Sequence, residues 1–273
     1  MDNPSTQESI EYYALVISPK KLARVLTLVV IGLVLCHVTT NLIAYTTGHD
    51  FQFGFRPKFD LNYEANLPTW YSSLTLLFCA VLLGIIGLNT RQAGAPYARQ
   101  WLTMAAVFLY LSTDEATGIH EMTLPLLASY LKPYDFFHGY LFYSWVIFGA
   151  IGVLLFVAAY RRFLAELPAQ TRYLFLLAGT LYVGGALGVE VAGGRYEYLY
   201  GANNFTYAML VACEEGLEMM GIVVFIYALT SYLGSLRAGL RILVDAGSVP
   251  DISQRLHLVS NRRSARTAPP QVP

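Results

Sequence analysis

The sequence predicts an all-α integral membrane protein, a six-transmembrane-helix bundle with both termini cytoplasmic. Three observations predict it. Hydrophobic residues make up 55% of the 273-residue chain and charged residues only 13%, where a soluble domain carries about 25% charge. Six apolar stretches approach the roughly 20 residues that a helix needs to cross a bilayer. Lys and Arg concentrate on alternate connections between those stretches.

The stretches run near 22–46, 69–89, 101–121, 139–160, 172–192 and 205–233. Residues 1–21 read as a cytoplasmic segment and not a cleaved signal: Asp2, Glu8 and Glu11 precede a run too long for a signal core. Residues 22–234 form the membrane domain. Residues 235–273 begin with a basic amphipathic stretch to Val244 and end in a tail rich in Arg, Ser, Ala and Pro, predicted disordered. With the N-terminus inside, fourteen of the eighteen basic residues are cytoplasmic, and only Arg56, Lys58, Lys132 and Arg195 are outside. The expected location is a bacterial plasma (inner) membrane, with the lipid bilayer as first partner. No internal repeat stands out.

Composition excludes some classes. Eighteen basic and eighteen acidic residues balance, with no basic patch for nucleic acid. Cys36, Cys79 and Cys213 each lie in an apolar run without a CxxC pair, so they read as buried packing thiols.

The carboxylates are the informative residues. Asp114, Glu115 and Glu121 fall in the third stretch, Glu190 in the fifth, and Glu214, Glu215 and Glu218 in the sixth, with Lys and Arg only at the cytoplasmic ends of the spans. Acidic groups in hydrocarbon are costly and mark function. At 100° per residue, Asp114 and Glu121 share one helix face, and Glu214 and Glu218 share another. By helical rise, His37, Asp114 and Glu214 sit at one level, roughly 10–14 Å below the outer surface. Glu121, His120, Glu190 and His138 would line a path outward from that level. Gly184 and Gly188 form a GxxxG, read as close helix packing or as a kink that presents Glu190. In the first outer loop, Asn66 to Thr69 reads as a helix cap, and Glu64 as either part of that cap or a lid. Asn204-Phe-Thr206 matches a glycosylation sequon.

Uncompensated carboxylates need protons, a metal or water. The leading expectation is a metal-dependent membrane enzyme, a hydrolase or oxidoreductase acting on a lipid-like or periplasmic substrate. Its metal ligands would be His37, Asp114, His120, Glu121, Glu190, Glu214 and Glu218. Glu115 or Glu215 would serve as catalytic base. Oxygen and imidazole donors suit a divalent Zn, Fe or Mn. The alternatives are a proton- or cation-coupled transporter and a non-catalytic subunit of a larger membrane complex. A homo-oligomer or complex partners complete the expectation. The last stretch lacks the paired histidines of alkaline ceramidase and adiponectin-receptor type hydrolases, so the motifs assign no family.

Overall fold

The computed structural model describes residues 18–48, 54–120 and 139–236. Glu121, His49, His138, His257, the surface helix expected at 122–137 and the extension beyond residue 236 lie outside the described residues. Among the described residues the structure is helical, without strands. We number its helices α1 Pro19–Thr47, α2 Phe55–Phe59, α3 Leu67–Gln92, α4 Ala98–Thr117, α5 Trp145–Glu166, α6 Ala169–Val183, α7 Glu190–Tyr200 and α8 Phe205–Ser235. A π-helical turn, Gly184–Val189, joins α6 to α7 without a break.

Local chemistry sets these boundaries. Asn66 caps α3 by accepting from the Thr69 amide at 3.2 Å. Asn204 caps α8 by accepting from the Tyr207 amide at 3.0 Å. The same Asn204 side chain donates to the Gly201 carbonyl and accepts from Tyr196. The sequon asparagine is therefore a fully engaged cap. The third predicted stretch is shorter than expected. It stops at Thr117 because Gly118, at φ 61°, takes the left-handed cap conformation and returns its amide to the Asp114 carbonyl at 2.7 Å. The helix that carries Asp114 therefore ends before Glu121, which lies outside the described residues. The fourth stretch begins as a helix only at Trp145.

The helix α8 is the central element, packed on α1, α3, α6, the π turn and α7. Neighbours run antiparallel: Gly185 meets Glu214 and Glu218 while Ala178 and Tyr182 meet Gly221. One end of the bundle carries α2, hereafter the α2 end. The other carries the Arg91 to Arg99 turn. Near that basic end, Trp101 packs edge-on against Phe163 and Phe175 and stacks on Tyr232. Leu76, Leu83, Ile86, Ile226 and Leu229 fill the surrounding core. Each such buried aliphatic contributes about 1.5–3 kcal/mol.

Four helical stretches are long and apolar enough to cross a membrane: α1, α3, α5 and the continuous Ala169–Tyr200. Leu28, Leu35, Leu154 and Leu155 stand more than half exposed on α1 and α5, a surface suited to lipid and avoided by soluble monomers. The remaining long helices, α4 and α8, carry Asp114, Glu115, Glu214, Glu215 and Glu218.

Candidate functional site

The site grows from a close approach of two backbones. A Cβ on Gly185 would stand 2.7 Å from the Glu214 carbonyl oxygen and 2.9 Å from Glu218 Cγ, so only glycine lets the π turn lie against α8 here. Gly184 and Gly188 face open space. The GxxxG packing expected at those two positions is absent, and the contact belongs to the glycine between them. The wide π turn then resets the helical phase before Glu190, and such turns recur at functional sites.

Glu190 emerges from that turn beside α8. Its Oε1 accepts from the Trp145 indole N–H at 3.0 Å. The Glu214 carboxyl interacts with Glu190 as well. Glu215 lies within electrostatic reach of Glu115 and Glu190. Glu218 lies within reach of Glu215, Glu115 and Glu190. Tyr182 of α6 closes the group beside Glu218, Glu115 and Glu215. All five glutamates are partly exposed. Among the described residues none of them pairs with Lys or Arg.

The end of α4 supplies a second arm. Asp114 Oδ1 accepts from the His120 amide at 2.8 Å, and Oδ2 accepts from His120 Nδ1 at 3.0 Å. Asp114 therefore fixes both the chain reversal after α4 and the imidazole. The His120 ring meets the Trp145 ring edge-on, 5.1 Å between centroids. A continuous path thus runs Asp114, His120, Trp145, Glu190, Glu214. Glu115, next to Asp114, is within reach of both His120 and Glu64. The Glu64 carboxylate rests on Gly118, where an added Cβ would stand 2.5 Å from Oε1.

His37 belongs elsewhere. It is wholly buried. Its Nε2 donates to the Ala208 carbonyl at 2.9 Å, and its Nδ1 accepts from the Leu61 amide at 3.0 Å. Asp60 Oδ1 is 3.2 Å from the same Nδ1. Ala208 precedes Glu214 by six residues, roughly 9 Å of helix at 1.5 Å per residue. The common level expected for His37 and Glu214 is therefore wrong, and both ring nitrogens serve the fold. Among the described residues, no three His, Cys, Asp or Glu side chains are grouped as a metal site requires. The expected ligand set, Asp114, His120, Glu190, Glu214 and Glu218 with His37, is not assembled around one point. Of the cysteines, Cys79 is buried as expected, Cys36 is partly buried, and Cys213 is exposed.

Several polar residues carried no sequence signal. Trp145 opens an apolar helix, and Tyr182 sits inside one. Tyr143 donates to Glu197 and contacts the Tyr207 hydroxyl at 2.9 Å. Burial first, then the Glu197 and Tyr207 hydrogen bonds, push the Tyr143 phenol above its usual range. At Asp60, burial alone would push the carboxyl up. The Asn62 amide bond and the nearby Arg56 charge outweigh it and hold Asp60 below the usual range.

No curated protein and no solved structure matches the chain. One family does, over residues 24–233, and the chain belongs to it: Domain of unknown function (DUF8692).

Proposed function

We propose that this is a proton-coupled membrane protein. Six spans, α1, α3, α4, α5, α6 to α7 and α8, would hold both termini in the cytoplasm and the α2 end outside, in keeping with the placement of Lys and Arg. The acidic cluster takes up and releases protons from the outer side and couples them to a transported solute. The observation that carries this reading is the approach of Glu190 and Glu214 within a group of five glutamates that pairs with no Lys or Arg among the described residues. Protons are then the cations that make the group compatible with a low dielectric. The π turn beside Glu190 supplies a backbone that can change register.

Infrared titration in nanodiscs tests it. The wild type should have a carboxylic-acid carbonyl band at neutral pH that titrates with the outer solution. The band should weaken in both Glu190→Gln and Glu214→Gln. A wild type without that band would refute the reading.

A second reading is a metal-dependent membrane enzyme acting on a lipid-like or periplasmic substrate. The Asp114–His120 contact favours it, since a carboxylate on Nδ1 is how proteins orient an imidazole toward a metal. Glu115 or Glu215 would act as base, with Zn, Fe or Mn as the ion. Elemental analysis of the purified protein decides: stoichiometric metal in the wild type, lost in Asp114→Asn and Glu214→Gln, would favour the enzyme over the transporter.

A further inference from the structure

We infer that residues 54–66 form a strap across the α2 end that controls access to the acidic cluster, and that His37 and Asp60 are its anchor. Three attachments define it. The first is at α1 and α8: Leu61 donates to His37, and His37 donates to Ala208. The second ties the strap to α1 and to itself. Arg56 Nη2 donates to Asn41 Oδ1 at 3.0 Å, and its Nε stands 3.4 Å from Asp60 Oδ2. Asn66 Nδ2 donates to the Asp60 carbonyl at 2.6 Å. The third is at α4, where the Glu64 carboxylate lies on Gly118 next to the Asp114–His120 pair.

The strap therefore runs from the α1–α8 seam to the end of α4. Its far attachment differs in kind from its anchor. At the anchor, Asp60 and His37 are almost wholly buried. At the other end Ala65, beside Glu64, holds φ 56° without being glycine, a conformation that costs of order 1–3 kcal/mol. A segment held firmly at one side and under strain at the other opens at the strained side. Lifting Glu64 off Gly118 would uncover the end of α4 and the Glu115 behind it.

The inference rests on the proposed function only in taking the cluster as the working site, and it holds for protons or metal alike. The test replaces Cys36, Cys79 and Cys213 with Ala, introduces Glu218→Cys, and measures its reaction with a membrane-impermeant thiol reagent in nanodiscs. Adding Asp60→Asn or Arg56→Ala should raise the rate about tenfold, the scale of one lost charge-assisted hydrogen bond. A cysteine at Thr103, near the basic end, should react unchanged. Rates at position 218 that do not move in either anchor variant would overturn the proposal. Thiol reactivity is independent of the infrared band, so failure of one reading leaves the other standing.

Discussion

Glu190 and Glu214 face each other from adjacent helices, and the Trp145 indole N–H donates to Glu190 at 3.0 Å. The arrangement makes Glu190 the hinge of the polar path. Trp145→Phe removes the donor and keeps the ring against His120. The expected cost is about 1–3 kcal/mol, the penalty of leaving a buried acceptor unsatisfied. Thermal unfolding in detergent measures it. A further Glu190→Gln should make the two losses non-additive, since the residues share one bond.

Removing charge from the cluster should not unfold the protein. Replacing a buried ionisable group by its neutral isostere is often neutral or stabilising. Glu215→Gln and Glu218→Gln are expected within about 1 kcal/mol of the wild type. Glu218→Asp keeps the carboxyl but withdraws the side chain, and should separate shape from protonation in the infrared titration.

Gly185→Ala should destabilise by about 1–3 kcal/mol, because its Cβ would press on a backbone carbonyl that cannot step aside. Gly184→Ala and Gly188→Ala meet open space. Each should be neutral or stabilising by up to about 1 kcal/mol. Unfolding midpoints of the three variants, compared side by side, locate the contact.

The strap anchor should respond to acid in one direction only. A carboxyl held below its usual range contributes stability above its ordinary value and loses it as pH falls through the folded value. Asp60 is such a group. Hydrogen exchange of residues 54–66 should stay slow from neutral pH down to about 4, the ordinary Asp value, and quicken below it. In Asp60→Asn the exchange should already be fast at neutral pH and lack that acid step.

Much of this architecture was legible because lipid imposes a strong pattern. Apolar length located the long helices, and the Asn66 cap was readable from Asn66-Leu-Pro-Thr69. In place of the level expected for His37, Asp114 and Glu214, the structure sets Glu115, Glu190, Glu215 and Glu218 within electrostatic reach of one another. What failed was geometry that depends on a single residue. Gly118 ended α4 early and took His120 off the helix, so ideal rotation past Thr117 misplaced everything after it. One extra residue in the π turn made Gly185, not Gly184 or Gly188, the contact. His37 resembled a ligand by depth alone. Its partners, the Leu61 amide and the Ala208 carbonyl, are backbone groups brought together only by the tertiary fold.

The π turn also divides the Ala169–Tyr200 helix into two independently phased rods. Residues before it choose their faces by packing on α8, as Ala178 and Tyr182 do against Gly221. Residues after it are rotated by about 100° relative to an uninterrupted α-helix, the angle of one residue. Sliding that turn by a few positions would swing Glu190 away from Glu214 while both helix ends stayed where they are. The bundle therefore contains a rotary element that could disconnect its polar path without any helix having to tilt.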